Sequence, residues 1–343
     1  MTLIVERYDA AGEDWDALVR ASSGWTHFHL YGWRSVIEDV FGHECLYLAA
    51  RESGGRLAGV LPLVRVKSLL FGHYLVSMPF LNYGGPVGSE AAVRALVEHA
   101  VGLARSGGVK LLELRSRVPL AVDLPVSHRK ITVLLDLPAG DPERLWRDLD
   151  AKVRSQVRRP QKEGVTMRFG PDQVGAFYAV FARHMRDLGT PAQPRRLFER
   201  IAERFPDDVW FGCAYLGERV VACGCGFHWN GEFEMTWASA LREFNRLAPN
   251  MLVYWSFMER ATKAGLGIFN FGRCTPDGGT HRFKKQWGSR DEPLWWYDLA
   301  KDGRKIHTPS PDDGAYSWGP RLWQRLPLAL ATALGPRLVR GIP

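Results

Sequence analysis

A basic and aromatic cluster between Gly279 and Gly288 is the part of the chain best suited to chemistry. Its sequence, Gly-Thr-His-Arg-Phe-Lys-Lys-Gln-Trp-Gly, follows a strand-like run that ends at Arg273. A fixed cation in a dry cleft stabilises negative charge that develops on a carbonyl oxygen, and aromatic walls exclude the water. The cluster could therefore supply a fixed positive charge to a reaction site. A solvated basic loop is the alternative that the pattern leaves open.

The segment from Trp237 to Asn250 runs from a strand end to a helix start. Helix N-termini bind phosphate through backbone N–H groups, and acetyl-CoA-dependent enzymes place a glycine-rich loop there. Asn245 and Leu247 stand where glycines would be needed, which argues against ordinary coenzyme A binding. Pro249 suits a helix start, and Asn250 is either its N-cap or a group that hydrogen-bonds the substrate.

A third segment, Met78 to Val87, contains Asn-Tyr-Gly-Gly-Pro, which is a turn signal. Turns of this kind need no function, so Asn82 and Tyr83 are either turn residues or residues that hold a substrate.

The fourth segment, Lys152 to Arg159, places its cations on two sides of a helix. Paired arginines can clamp a phosphate with bidentate hydrogen bonds, which makes Lys152 and Arg154 candidates for substrate binding. A solvated charged face is the alternative.

The elements that would position these segments occur twice. In the first half a helical pattern over Ala91–Leu103 is followed by glycines and a strand-like run at Val109–Leu114. In the second half, a helical pattern over Asn250–Lys263 precedes a glycine and the run Leu266–Phe271. Helix, glycine break and buried strand therefore recur in the same order.

A strand pair precedes each of these units. The stretches that begin at Cys45 and Val209 alternate in hydrophobicity around glycine-containing turns, which predicts β-hairpins. A third strand follows at Tyr74–Ser77 in one half and at Glu232–Thr236 in the other. Hairpin, strand, helix and strand is the order of the central part of an N-acetyltransferase (GNAT) fold. The sequence therefore predicts two tandem α/β halves, with mixed β-sheets flanked by helices.

The boundaries follow from composition. We predict an N-terminal domain over 1–145, a C-terminal domain with the main catalytic motif over 146–305, and a tail over 306–343 with an amphipathic helix. The seam lies near Asp141 to Lys162, where an apolar strand gives way to a charged helix. Pro160 should stop or kink that helix.

Two of these motifs resemble a known family. Phe283-Lys-Lys-Gln-Trp-Gly288 resembles the C-terminal motif of the FemAB-like aminoacyltransferases. Pro79-Phe-Leu-Asn-Tyr-Gly-Gly-Pro86 is similar to a run in the FemAB-like proteins found beside exosortase (PEP-CTERM) and exopolysaccharide genes. The resemblance implies direct transfer of an aminoacyl or acyl group to an amine of a cell-envelope or exopolysaccharide precursor, without a covalent enzyme intermediate.

The resemblance also implies roles for individual residues. Lys284 would lie beside the reacting acyl group, with Phe283 and Arg273 completing the catalytic set. The donor would be aminoacyl-tRNA or an acyl-CoA, used as a co-substrate rather than as a tightly bound cofactor. The expected substrate-binding residues are Asn82, Tyr83, Lys152, Arg154, Trp237, Asn250, Arg282, Lys285, Gln286 and Trp287.

Composition limits the alternatives. Forty-five Lys and Arg against 37 Asp and Glu give a net charge of +8, which favours an anionic partner. The five cysteines lack metal-ligand spacing and the histidines are scattered, so we expect reduced thiols and no metal site. The chain lacks a Gly-x-Ser-x-Gly elbow, a P-loop and a dinucleotide fingerprint, which argues against hydrolases, kinases and dehydrogenases. No histidine or carboxylate is placed by sequence to act as general base.

Localisation and the rival functions complete the expectations. The N-terminus lacks the order of a secretory signal and no apolar run is long enough to span a bilayer, so we expect a cytoplasmic protein. The tail from Trp318 to Pro343 could lie on the anionic surface of the inner membrane or pack on the protein. Two other functions stay open: acyl-CoA-dependent N-acylation of an amino sugar, and a non-catalytic scaffold in exopolysaccharide assembly.

Overall fold

The computed structural model describes residues 3–68, 71–301 and 318–342. In chain order the strands are β1 (Leu3–Arg7), β2 (Glu44–Cys45), β3 (Leu48–Glu52), β4 (Leu57–Leu61), β5 (Leu63–Ser68), β6 (Gly72–Ser77), β7 (Val87–Gly88), β8 (Leu111–Ser116), β9 (Val126–Ser127), β10 (Ile131–Asp136), β11 (Val165–Phe169), β12 (Val209–Leu216), β13 (Arg219–Trp229), β14 (Glu232–Ala240), β15 (Ile268–Cys274), β16 (Arg290–Pro293) and β17 (Trp295–Ala300). The α-helices are α1 (Gly12–Ala21), α2 (Trp33–Phe41), α3 (Glu90–Ser106), α4 (Pro142–Asp148), α5 (Ala151–Lys162), α6 (Val174–Leu188), α7 (Arg195–Arg204), α8 (Pro249–Lys263), α9 (Gly279–Lys285), α10 (Trp318–Gln324) and α11 (Leu328–Val339).

These elements form two compact units. Unit 1 comprises the described residues within Met1–Lys130, Pro293–Ser310 and Arg337–Pro343. Unit 2 comprises those within Ile131–Glu292 and Pro311–Pro336. No helix of the described ranges is long and apolar enough to cross a membrane.

Unit 1 contains two sheets, in the strand orders β1-β3-β4-β7 and β2-β5-β6-β8-β17-β9. Strands β6 and β8 are parallel, and helix α3 provides the crossover that parallel neighbours require. Ser89 caps α3 by accepting a hydrogen bond from the Ala92 N–H. Ala92, Leu96 and Ala100 recur at helical spacing and are fully buried, so this face of α3 packs on the core of the unit.

Unit 2 is built on one seven-stranded sheet in the order β11-β12-β13-β14-β15-β10-β16. The sheet is mixed: β14 and β15 are parallel, while β10 pairs with β15 antiparallel. Helix α8 connects the parallel pair and is buried on most of its surface. Phe257 of this helix stacks on Phe233, which in turn contacts Phe269, so the helix and both parallel strands share one aromatic core.

The repeat expected from the sequence is confirmed. Each unit contains an antiparallel hairpin, formed by β3 and β4 in unit 1 and by β12 and β13 in unit 2. Each unit also contains a parallel strand pair joined by one long helix, α3 or α8. The α/β fold class with mixed sheets and two GNAT-like halves is therefore the observed architecture.

The contacts divide the chain differently from the sequence-based domain boundaries. Residues 131–136, which the sequence places in the first domain, form β10 and pair with β15 of unit 2. Residues 295–300, placed in the second domain, form β17 and pair with β8 of unit 1. The tail is shared as well, with α10 and most of α11 in unit 2. Pro160, expected to stop or kink α5, lies inside its last turn, and the helix ends two residues later at Lys162.

Candidate active site

The parallel strands of unit 2 separate after a short paired stretch. Their pairing covers only Glu232 with Ile268, Phe233 with Phe269, and Glu234 with Asn270. Beyond that point β14 continues to Ala240 and β15 to Cys274 without pairing to each other. Clefts at the carboxyl ends of parallel strands are common binding sites, because the diverging strands leave room between them.

A cleft of about 390 Å³ lies beside the end of β14. Its walls include Ala238 and Ala240 at the end of β14, and Asn250 and Tyr254 in the first turns of α8. Helix α9 contributes Phe283, one of the residues singled out from the sequence. The cleft therefore combines the strand end, the helix start and the basic motif that the sequence identified separately.

A buried polar network closes the base of the opening. The Asn270 amide group donates to Oε1 of Glu232 at 2.7 Å and to Oε2 of Glu234 at 3.2 Å. The side-chain oxygen of Asn270 accepts from the Thr132 hydroxyl at 2.6 Å and from the Gly272 N–H at 2.8 Å. Four hydrogen bonds on a fully buried amide fix the point at which the strands part.

Lys284 is a buried cation next to this network. Its side chain is 3% exposed, and Nζ donates to the carbonyl oxygens of Gly272 at 2.6 Å and Arg273 at 3.1 Å. Burial lowers the pKa of Lys284 from 10.5 to about 8; neighbouring Cys274 and Glu234 oppose that change and Arg273 adds to it. An ammonium carries three N–H donors, and only two have acceptors among the described residues.

A β-bulge presents one of those carbonyl groups. Strand β15 places two residues, Phe271 and Gly272, opposite the single residue Val133 of β10. Gly272 has a φ of 72°, a left-handed conformation that glycine adopts without strain. The bulge therefore fixes the carbonyl group that binds Lys284.

His184 of α6 is a cleft residue that the sequence did not single out. Its Nδ1 lies 3.0 Å from the Ala240 carbonyl oxygen, which can only accept, so Nδ1 carries the proton. Burial lowers the pKa of His184 below its usual 6.5; the bond to Ala240 and the charge of Asp187 oppose the shift, and Arg242 reinforces it. The neutral ring therefore offers Nε2 as a basic lone pair at neutral pH. Scattered histidines carry no sequence signal, which explains why this one was missed.

The first turn of α8 provides few donors for a phosphate. The residue at its N-cap is Ala248, in a left-handed conformation with no side-chain cap, so the N-cap interpretation of Asn250 is wrong. Pro249 has no N–H, and the Met251 N–H already binds the Ala248 carbonyl oxygen. Only the Asn250 backbone N–H is left in this turn. The preceding Arg242–Leu247 segment is a 3-10 turn rather than a glycine loop.

Helix α9 divides the motif between two faces. Gly279, Thr280 and Phe283 line the cleft, whereas His281 and Lys284 are the buried residues of the helix. Lys284 is thus adjacent to the cleft wall and is not part of its lining. The helix is anchored by His281, whose Nδ1 accepts from the Asp277 N–H at 2.9 Å and whose Nε2 donates to Asp291 at 3.0 Å.

The remaining residues of the motif mainly support this arrangement. Trp287 is 2% exposed and packs near Tyr254 and Phe271. Lys285 donates to the Ser289 carbonyl oxygen at 2.6 Å and pairs with Asp291. Arg282 Nη1 donates a hydrogen bond to the Asp277 carbonyl oxygen, and Gln286 Nε2 donates one to Sδ of Met251.

Three other candidates in unit 2 lie outside the cleft lining. Arg154 donates from Nη1 to the carbonyl oxygens of Arg147 and Leu149, and so caps the C-terminal end of α4. Lys152 is exposed on α5. Trp237 packs edge to face on Phe198 at 5.2 Å.

In unit 1, the Asn82 and Tyr83 turn is buried and tightly anchored. Tyr83 has no exposed surface, and Asn82 is 8% exposed. Arg115 Nη1 donates to the Leu81 carbonyl oxygen at 3.0 Å, and His29 Nε2 donates to that of Gly85 at 2.9 Å. The turn is therefore rigid, and Tyr83 presents no surface to a ligand in this conformation.

Comparison with known proteins agrees with this architecture. Residues 147–285 match the model of an acetyltransferase (GNAT) domain. The structure of FemX is similar over 87% of this chain and 98% of its own, with 14% identity and a TM-score of 0.63. L-PGS from Bacillus licheniformis is 12% identical, with 92% and 98% of the two chains covered and a TM-score of 0.55.

A third similar structure is the C-terminal domain of a candidate lysylphosphatidylglycerol synthetase from Agrobacterium fabrum. It is 14% identical, with 85% of this chain and 92% of its own covered and a TM-score of 0.55. No curated protein matches the chain in sequence. Within the described residues, no group of three or more His, Cys, Asp or Glu could hold a metal ion.

Proposed function

We propose that the chain is an acyltransferase that uses the cleft of unit 2 to move an acyl group, aminoacyl in the first instance, onto an amine. The observation that carries the proposal is the cleft lined by the end of β14, the first turns of α8 and helix α9, with a buried lysine next in sequence to Phe283 of its wall. The match of residues 147–285 to an acetyltransferase domain and the FemAB-like motif around Lys284 support the same reaction class.

We assign each of three residues near the cleft a separate role in the reaction. The acceptor amine attacks the acyl carbonyl carbon, a C–N bond forms, and the ester or thioester bond to the donor breaks. The positive charge of Lys284, which is held behind the cleft wall by two backbone carbonyl groups, stabilises the negative charge on the carbonyl oxygen. Nε2 of His184 takes the proton that the amine loses. Phe283 walls the cleft on the α9 side.

Aminoacyl-tRNA is the donor that we favour. Pyrophosphate binding at a helix start needs several free backbone N–H groups, and the first turn of α8 provides one. The net charge of +8 suits a polyanionic donor. An acyl-CoA is the second candidate, because residues 147–285 match a domain described as an acetyltransferase (GNAT) domain. We propose an amine of a cell-envelope or exopolysaccharide precursor as acceptor, as the resemblance to the exosortase-associated branch implies.

The test is label transfer with two donors. The purified protein is incubated with a labelled charged tRNA pool or with labelled acetyl-CoA, and with a panel of nucleotide-linked amino sugars and peptide amines. Lys284→Met is the test variant, and Lys263→Met, an exposed lysine at the far end of α8, is the matched control. Transfer from tRNA that Lys284→Met abolishes supports the proposal. Transfer from acetyl-CoA alone would make acyl-CoA, and not aminoacyl-tRNA, the donor. Transfer that survives Lys284→Met would refute the role proposed for Lys284.

A further inference from the structure

The C-terminal helices of unit 2 expose an unusual amount of apolar surface. The described part of unit 2 has five large apolar side chains that are exposed, between 36% and 58%. All five lie at the end of α6, in α10 or in α11; we call them the leucine face, and they are Leu188, Leu322, Leu328, Leu330 and Leu334. Scattered apolar residues on a surface need no explanation, whereas five on three neighbouring elements make this region a candidate binding surface.

Helix α11 exposes its leucines because small residues form its inner face. Ala331 is 3% exposed, and Gly335, one turn later, is buried. A Cβ added at Gly335 would lie 3.0 Å from the Ala192 carbonyl oxygen, so the helix packs directly on backbone there. Leu330 and Leu334 occupy the adjacent stripe and face away from that contact. The two placements expected for the tail are therefore compatible, since the helix packs on the unit and still exposes a leucine stripe.

The face is held in place by contacts to α6. A Cβ added at Gly189, just after α6, would lie 2.7 Å from Pro320 of α10. Arg186 Nη1 donates to the Leu326 carbonyl oxygen at 3.1 Å, in the turn between α10 and α11. These contacts fix both helices on the body of the unit, so the exposed leucines belong to a defined surface.

The two tail helices, which carry four of the five leucines, have only basic charged residues, whereas Asp187, next to Leu188, pairs with Arg186 at 2.7 Å. Arg321 and Arg325 are exposed on and just after α10. The sequence from Trp318 to Pro343 contains four arginines and neither Asp nor Glu. Leucines flanked by arginines, without acidic residues, are the composition of helices that lie in the interface of an anionic bilayer.

We propose that the leucine face docks unit 2 on an anionic membrane surface, with α11 lying in the plane of the interface. The twelve residues of α11 span about 18 Å at the α-helical rise, well short of the roughly 30 Å of a bilayer core. The helix therefore cannot span the bilayer, and its exposed stripe suits shallow insertion. This inference does not depend on the chemistry proposed for the cleft.

A second copy of the chain fits the face less well. A two-fold dimer interface places the same patch of each copy against itself. Arg321 and Arg325 would then approach their own counterparts, and like charges at short distance repel. Anionic headgroups provide the opposite charge instead, together with an apolar layer beneath for the leucines.

The experiment is co-sedimentation of the full chain with lipid vesicles. We compare vesicles of mixed phosphatidylglycerol and phosphatidylcholine with vesicles of phosphatidylcholine alone, at low and high salt. The variants are Leu330→Glu combined with Leu334→Glu, and Arg321→Glu combined with Arg325→Glu. Ile4→Glu in unit 1 is the control, because it places a carboxylate on another exposed apolar residue outside the face.

We expect binding to the anionic vesicles that weakens with salt. Each double variant should reduce partitioning by about tenfold or more, because a buried leucine and a basic residue at the lipid surface each contribute on that order. Ile4→Glu should bind like the wild type. Equal binding to neutral vesicles, or anionic binding unaffected by the double variants, would overturn the proposal. So would a concentration-dependent dimer, seen by light scattering, that Leu330→Glu with Leu334→Glu dissociates while vesicle binding is absent.

Discussion

Replacing Lys284 with methionine should change how the stability of the protein depends on pH. The pKa of Lys284 is about 8 in the folded chain, lowered by burial, against 10.5 for an unperturbed lysine. Between those two pH values the unfolded chain holds a proton on this side chain that the folded chain has released. Stability then rises with pH, by about 1.4 kcal/mol per pH unit for one proton.

The whole interval gives a stability gain of about 3 kcal/mol for the wild type between pH 8 and pH 10.5. Below pH 8 both states hold the proton, and the cost of burying the cation is fully present. Lys284→Met lacks this titration, so its stability should lack this rise. The lost hydrogen bonds to Gly272 and Arg273 shift its stability by an amount that is independent of pH.

The assay is urea unfolding of the wild type, Lys284→Met and the control Lys263→Met at several pH values from 7 to about 10.5. The quantity of interest is the difference in unfolding free energy between wild type and variant at each pH. That difference should favour the wild type increasingly as pH rises for Lys284→Met, and stay constant for Lys263→Met. Parallel curves for wild type and Lys284→Met would show that the buried amine does not titrate in this interval, and would refute the reasoning.

Three further predictions concern the cleft. Lys284→Met should lower the rate of transfer by about 10²–10³-fold, as loss of one group that stabilises a developing oxyanion does, measured as kcat with the donor that the label experiment identifies. His184→Gln should lower the rate by about 10²–10⁴-fold and flatten the acid side of the pH–rate profile. In the wild type that side should fall below a pKa under 6.5, because a protonated ring cannot accept the proton; an unchanged profile would exclude His184 as the base. Asn270→Leu should destabilise the protein by about 3–5 kcal/mol in urea unfolding, because it removes the donor shared by Glu232 and Glu234, and a loss under about 1 kcal/mol would contradict that role.

Local patterns predicted most of the fold. Alternation and glycine-containing turns located the hairpins, and helical spacing located α3 and α8 within a few residues of their observed ends. The order of these elements then indicated two GNAT-like halves. The sequence pattern could not predict that β10 belongs to the sheet of unit 2 and β17 to a sheet of unit 1. A buried strand shows its hydrophobic pattern in the sequence, whereas the identity of its neighbour depends on contacts between distant segments.

The candidate site was predictable only in part. The motif around Phe283 and the helix start at Asn250 both line the observed cleft. The basic stretch at Lys152 and Arg154 does not line the cleft. Arg154 caps the end of α4, and a basic sequence pattern does not distinguish an arginine that caps a helix from one that binds a ligand. His184 shows the converse case. Its position depends on the packing of α6 beside β14, and nothing next to it in the sequence signals that position.

The position of β17 late in the chain determines which unit can complete its sheet first during synthesis. Unit 2 receives all of its sheet strands from one continuous stretch of chain, β10 to β16, and can assemble that sheet as the stretch leaves the ribosome. The larger sheet of unit 1 needs β17 between β8 and β9, and β17 is made only after that stretch. Throughout the delay β8 has an unpaired edge, the kind of surface that templates association between nascent chains. The half that is translated first is therefore completed last, and its open sheet edge is accessible to other nascent chains during that interval.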